Sequence, residues 1–274
     1  MPFAPYLDRW ELVADGAPIH THSSDLLPVR RADGTPGMLK LAREAEEKLG
    51  GVVMTWWNGR GAARVLAHEA ASGALLLERA TGTRSLTRMV REGRDDEATR
   101  ILCAVVGDLH ARPEPPPAGL LTLREWFVEL APMAARHGGV LAEAEATARA
   151  LLDAPRDPVV LHGDLHHDNV LDFGERRGWL AIDPKRLHGE RGFDYANMLC
   201  NPEEEFALAP QRVARRVEVV AEAARLDRRR LLQWLLAYAG LSAAWWLGDG
   251  ADEEASHPLA VAGEASRLLA LVSA

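Results

Sequence analysis

Lysine is scarce in this chain: of 32 basic residues only Lys40, Lys48 and Lys185 are lysines. Cysteine is scarcer still. Cys103 and Cys200 lie far apart and form no Cys-x-x-Cys pair, which excludes a disulfide framework and a cysteine zinc site. They read as small buried hydrophobes in a reducing compartment, so a cytoplasmic location is expected. An excess of positive charge is also missing. With a formal net charge of −8 there is no dense Lys/Arg surface to bind phosphate backbones, so no nucleic-acid partner is expected. The start, MPFAPYLDRWELVADG, carries charge and proline where a signal peptide needs an apolar core. The longest uncharged run, residues 231–248 (LLQWLLAYAGLSAAWWLG), would span about 27 Å as a helix, short of a bilayer core of roughly 30 Å. It contains Gln233, Gly240 and Ser242, and it reads as a helix buried in a domain core. No membrane partner is expected.

The 274 residues, 47% hydrophobic and 26% charged, suffice for one large domain or two lobes with buried cores. Residues 18–78 read as strand, strand, helix, strand, strand. DLLPVRRADGTPGMLKLA is a hairpin around Ala-Asp-Gly-Thr-Pro-Gly, AARVLAHEAASGALLLERA turns at Ser72-Gly73, and Leu41 to Leu49 between them favours helix. After Ala80 helical spacing takes over, at 95–112, at 123–152 with a break at Gly138-Gly139, and near 204–224, 227–247 and 258–273. The predicted class is therefore α+β: a small antiparallel sheet lobe, residues 1–80, and a larger helical lobe, residues 81–274, tethered at 78–82.

One stretch breaks the helical pattern. VVLHGDLHHDNVL and GWLAID put two short apolar runs around a polar loop, and a turn follows at Asp183-Pro184. Such a loop inside a helical lobe needs a reason, because its polar groups must all be satisfied. Asp164 to Asn169 has the D-L-x-x-x-N spacing of the kinase catalytic loop, in which the aspartate receives the substrate hydroxyl proton and the asparagine binds a metal. Asp183, closing the next strand, would bridge a second metal site; both ligands offer oxygen, which Mg²⁺ prefers. A metallohydrolase built on His162, His166 and His167 is the rival, but no second cluster at metal spacing accompanies them. His162 reads as a hydrogen bonder fixing the loop, and His166 and His167 as exposed.

Lys40 stands alone in the apolar strand GMLKLA. Either it is an edge residue facing water, or a compact ammonium is needed there against phosphates. Glu44 and Glu47 lie three apart on the following helix and either suits Lys40 as a partner; Glu47 is preferred, with a solvated helix face as the alternative. His20-Thr21-His22-Ser23-Ser24 is an ordinary polar turn or a phosphate cover using Ser23 and Ser24. Lys185 would neutralise charge near the phosphates, and Asp194 would brace the loop. No Gly-x-Gly-x-x-Gly precedes Lys40 and no P-loop occurs, which excludes Rossmann and P-loop nucleotide sites.

HGDLHHDN, IDPKRLHGERGFDYANMLCNP and WWNGRGAARVL…GALLLERA resemble the aminoglycoside and hydroxyurea antibiotic-resistance kinase family, and within it the streptomycin 6-kinase branch. The resemblance spans about residues 20 to 202. It implies a protein-kinase-like two-lobed fold and ATP- and Mg²⁺-dependent phosphorylation of a small-molecule hydroxyl, most plausibly on a cationic aminoglycoside such as streptomycin. It also implies Asp164 as base, Asn169 and Asp183 as Mg²⁺ ligands, Lys40 on the ATP phosphates, and a hinge at 77–80 with backbone groups of Glu78 and Ala80 facing adenine. Gly163 replaces the arginine of H-R-D, Asp-Pro-Lys replaces D-F-G, and no A-P-E is present, which argues against protein substrates. Arg186 stands where similar kinases often carry a small residue. Two other readings are a kinase of a metabolic alcohol, amino sugar or hydroxyurea, and a catalytically silent nucleotide binder. The acidic runs 203–205 and 249–254 are candidate fields for a cationic acceptor or plain solvated surface. Trp245 and Trp246 suit core packing better than a pocket wall.

Overall fold

The computed structural model describes residues 2–21, 23–43, 45–202, 207–209 and 211–272, and the backbone alone of 45–49. Six strands form the N-terminal sheet: β1 (Leu12–Ala14), β2 (Ile19–His20), β3 (Ser24–Arg31), β4 (Pro36–Ala42), β5 (Val65–Glu69) and β6 (Ala74–Glu78). They run antiparallel in the order β1-β3-β4-β6-β5, with β2 added to β3. Alternating strand residues divide the sheet's apolar load between two faces. Leu27, Val29, Leu39 and Leu76 pack with Phe3, beside the short helix α1 (Ala4–Arg9), while Leu75 and Leu77 join the main core.

Helix α2 (Ala45–Trp57) carries Val53, Met54 and Trp57 into that core. The helix expected over 41–49 is thus displaced: β4 continues to Ala42, and the helix runs on through Gly50 and Gly51 despite their poor propensity. Packing explains the override. A Cβ at Gly50 would sit 2.7 Å from the Pro184 carbonyl, so only glycine lets the helix approach the Asp-Pro turn this closely.

The larger lobe holds α3 (Leu86–Arg91), α4 (Asp95–His110), α5 (Leu123–Trp126), α6 (Leu130–His137), α7 (Gly139–Asp153), α8 (Asp194–Leu199), α9 (Arg212–Ala224), α10 (Arg228–Gly248) and α11 (Asp252–Val272). The uncharged run forms α10, buried from Leu231 to Ala244 and packed among α6, α7, α8 and α11. No helix among the described residues is long and apolar enough to cross a membrane. The last helix starts at Asp252, earlier than its apolar spacing suggests. Asp252, Glu253 and Glu254 occupy its first turn, where the helix dipole favours negative charge, so part of the acidic run is a helix start.

Five short strands interrupt the helices. β9 (Val170–Asp172) and β10 (Trp179–Ala181) form an antiparallel hairpin after the loop. β8 (Pro158–Leu161) pairs instead with β11 (Leu187–Glu190), which also pairs with β7 (Leu121–Thr122). β7 and β11 carry no alternation that would announce them. The two-layered arrangement, antiparallel sheet lobe against helical lobe, is the predicted α+β class.

Candidate active site

Short bonded steps bring together the four residues that the chemistry singles out, the step from Asp183 to Asn169 running through the Ile182 backbone. Lys40 is no edge residue: its side chain is 5% exposed, and Nζ donates to Asp183 Oδ1 at 2.7 Å. Asp183 follows β10 in the left-handed region (φ 57°), which Asp tolerates better than most residues. Its neighbour Ile182 donates N–H to the Asn169 carbonyl at 2.9 Å. Asn169 ends a single 3₁₀ turn over His167–Asn169, and its Nδ2 donates to the Asp164 carbonyl at 2.8 Å, with a 3.4 Å contact to Oδ2. Lobe, metal-side aspartate, amide and loop aspartate therefore meet in one place.

Two buried groups hold the loop in shape. His162 donates Nε2–H to the Ile182 carbonyl at 2.8 Å and accepts the Asp164 N–H at Nδ1, 3.2 Å away. Burial pushes its pKa down, so the ring stays neutral with one donor and one acceptor, as both partners require. Asp194 accepts N–H bonds from His162 and Gly163, each 2.8 Å, and contacts His110 Nε2 at 2.8 Å. Gly163 stands where protein kinases have arginine because its φ is 80° and a Cβ there would meet Leu187 Cδ1 at 2.7 Å.

His166 accepts the Asp168 N–H, whereas His167 is buried, not exposed as its polarity suggested. Both His167 ring nitrogens lack a partner among the described residues. Burial first, then the nearby Arg216 and Arg212 charges, push its pKa down to about 2. Nothing in the residue's identity announces this, because the side chain's direction depends on the 3₁₀ turn.

Ser23 and Ser24 lie at the turn from β2 into β3, closed by Thr21 Oγ1 on the Ser24 N–H at 3.1 Å. Ser24 pairs with Ala42 two positions from the Leu26–Lys40 pair, and its buried Oγ has no partner among the described residues. Glu78 ends β6; its N–H is taken by the Arg64 carbonyl at 2.9 Å, and its Oε1 accepts from Arg64 N–H and from Arg177 at 2.6 Å. Ala80 packs half-buried against the main core. Glu44, Glu46 and Glu47, and residues 203–205, fall outside the described side chains. Arg186 donates to the Gly119 carbonyl at 2.7 Å, tying the loop before β7 to the Asp-Pro-Lys turn.

Asn197, on α8, went unnoticed: its Nδ2 donates to Asp164 Oδ1 at 2.9 Å. So did a cavity of about 610 Å³ bounded by Glu125, Trp126, Glu129, Lys185, Trp245 and Asp249. Trp245 meets Trp126 edge to face at 5.5 Å, so it is a wall of this cavity, while Trp246 faces solvent. Lys185 joins the cavity to the loop, its N–H bonding the His162 carbonyl at 2.7 Å.

The donor set suits magnesium. Asn169 and Asp183 offer amide and carboxylate oxygen, and Mg²⁺ is commonly held by one or two such ligands plus substrate phosphates. Among the described residues no group of three or more His, Cys, Asp or Glu side chains is placed to hold a metal, and both ring nitrogens of His162 are spent on Ile182 and Asp164.

An antiparallel sheet lobe and a helical lobe joined over a D-L-x-x-x-N loop define a kinase-like phosphotransferase. A choline/ethanolamine kinase family protein from Mesorhizobium loti shares the fold, with TM-score 0.69, 14% identity and coverage of 98% and 95% of the two chains. So does an aminoglycoside phosphotransferase in ternary complex with ADP and hygromycin B, with TM-score 0.69, 14% identity and coverage of 96% and 97%. The family model "Aminoglycoside/hydroxyurea antibiotic resistance kinase" matches residues 9–250, and the chain belongs to that family. It is a phosphotransferase acting on a hydroxyl-bearing small molecule. Streptomycin 3''-kinase of Klebsiella pneumoniae is 50% identical over 96% of this chain and 100% of its own. Streptomycin 6-kinase of Streptomyces griseus is 37% identical over 93% and 85%. The expected nearness to the 6-kinase branch is thereby corrected: the 3''-kinase is the more similar of the two.

Proposed function

We propose that this enzyme transfers the γ-phosphoryl group of MgATP to a hydroxyl of streptomycin, the 3'' hydroxyl in particular. The observation that carries the reading is the grouping of Lys40, Asp183, Asn169 and Asp164, with Asp183 tied to Asn169 through the Ile182 N–H, beside an acidic, indole-walled cavity. In phosphoryl transfer the protein mainly positions the reactants and balances charge. Bound MgATP would supply the phosphoryl group and the divalent charge that offsets it. Asp164 would accept the acceptor hydroxyl's proton, Asn169 and Asp183 would hold the magnesium, and the Lys40 ammonium would meet phosphate oxygens. Ser23 and Ser24 would cover those oxygens, Glu47 would steady Lys40, and the 78–80 backbone would face adenine; residues 1–80 would form the nucleotide lobe and 81–274 the acceptor lobe.

The carboxylates of Glu125, Glu129 and Asp249 suit a polycationic acceptor, and the indole faces of Trp126 and Trp245 add cation–π attraction. A neutral acceptor such as hydroxyurea would make no use of these charges. The 50% identity to the 3''-kinase favours the 3'' position over the 6 position. The test is to incubate the protein with MgATP and a panel of streptomycin, other aminoglycosides, hydroxyurea and choline-like alcohols, and to map the product by phosphorus-coupled NMR. Phosphate on the 3'' oxygen of streptomycin is expected. Turnover of an alcohol or hydroxyurea with none of the antibiotics would replace the acceptor, and phosphate on the 6 oxygen would replace the position.

A further inference from the structure

An ionised aspartate has two oxygens, and a base works with one of them while the other fixes its plane. In Asp164 the two are unequal. Oδ1 receives Asn197 Nδ2 at 2.9 Å, whereas among the described residues Oδ2 has only the 3.4 Å contact from Asn169, whose amide bonds chiefly to the Asp164 carbonyl. The stronger side-chain anchor thus comes from α8, not from the loop itself.

An amide can present either end, and only its NH₂ end attracts a carboxylate. Asn201 settles which end faces Asp164. Its Nδ2 donates to Asn197 Oδ1 and to the Asn197 carbonyl, both at 3.0 Å, so the Asn197 oxygen is turned away and its nitrogen towards Asp164. Asn201 is itself pinned: its carbonyl accepts from Arg212 at 3.2 Å and from Arg216 at 2.9 Å. Arg212 is held in turn by two bonds to Asp95 on α4, 2.6 and 3.0 Å, and Arg216 is wholly buried. The donors all point the same way along this relay, from the arginines to the Asp164 carboxylate.

We propose that Asn197 is a positioning residue, oriented by Asn201, that anchors Asp164 through Oδ1 and leaves Oδ2 as the atom that takes the acceptor proton. This rests on the reading of Asp164 as base. The acceptor hydroxyl gives its proton to Oδ2 as its oxygen bonds the γ-phosphorus and the bond from that phosphorus to the ADP oxygen breaks.

Steady-state kinetics on Asn197→Leu, Asn197→Asp, Asn201→Ala and Asp164→Ala, with the acceptor identified in the product assay, test the relay. Loss of the anchor misplaces the base, so Asn197→Leu should lower kcat by about 100-fold, with the KM for ATP within about threefold of the parent value. Asn197→Asp, which sets a second carboxylate against Asp164, should be at least as slow. Asn201→Ala touches only the amide that orients Asn197 and should cost about tenfold in kcat; it decides the matter if the Asn197 variants do not fold. Folded Asn197→Leu and Asn201→Ala proteins with parental kcat, or with a change confined to KM, beside an inactive Asp164→Ala would overturn the relay and leave the base standing. Full turnover in Asp164→Ala would instead overturn the reading beneath it.

Discussion

Lys40 shows how a single side chain reports on a site. In a chain that uses arginine nearly everywhere, a buried strand lysine bonded to Asp183 marks a place where a compact ammonium is required. Lys40→Arg should raise the KM for ATP about tenfold or more, since a planar guanidinium neither fits the 5%-exposed slot nor presents a point charge; an unchanged KM in a folded variant would refute this. His167 carries a different consequence. Its folded pKa is pushed down to about 2, while an unfolded histidine titrates near 6.5, so below about pH 6.5 the unfolded chain takes up a proton that the native state refuses. Stability is therefore lost as pH falls from 6.5 towards 2. Thermal melts of His167→Leu should show a flatter decline between pH 7 and pH 5 than the parent protein; parallel slopes would count against it. Lys40, Asp164, Asn169 and Asp183 were legible as one group, from residue types and a spacing that suit the proposed chemistry. His167 and Asn197 were not, because nothing in their identity tells which way a short turn or a one-turn helix points them.

At the scale of elements, the loop depends on α8 more than on its own residues. Asp194, with a fully buried side chain, serves two successive loop N–H groups and His110. Asp194→Ala would leave those donors buried and unpaired, and a loss of about 3–5 kcal/mol in denaturant unfolding is expected; a loss under about 1 kcal/mol would show that the loop is held elsewhere. The apolar runs and turn signals of β3 to β6, the helical spacing of α4 and α7 and the long uncharged run of α10 made most of the fold readable. α2 was misplaced because the contact of Gly50 with Pro184 comes from 134 positions away, and tertiary approach overrode local propensity. β7 and β11 were missed because strands of two and four residues pair through their backbones alone.

Across the whole molecule, a net charge of −8 is tempered by carboxylate–arginine pairs such as Asp172–Arg84, Asp95–Arg212 and Glu190–Arg230. In the proposed reading, the acidic wall of the cavity would meet the cationic acceptor. Glu129→Gln combined with Asp249→Asn should raise the KM for a cationic acceptor about tenfold, more at low ionic strength, and leave the KM for ATP alone. An equal effect on both substrates would move the acceptor elsewhere. The most direct measurement follows labelled γ-phosphate from MgATP to streptomycin in the parent protein and in Asp164→Ala, with ATP affinity measured on both by calorimetry. Expected are similar affinities and a rate of transfer lower by about 10²–10⁴-fold in the variant, the usual contribution of a general base. Transfer at the parental rate in Asp164→Ala, or nucleotide binding that disappears with the carboxylate, would contradict the site described here.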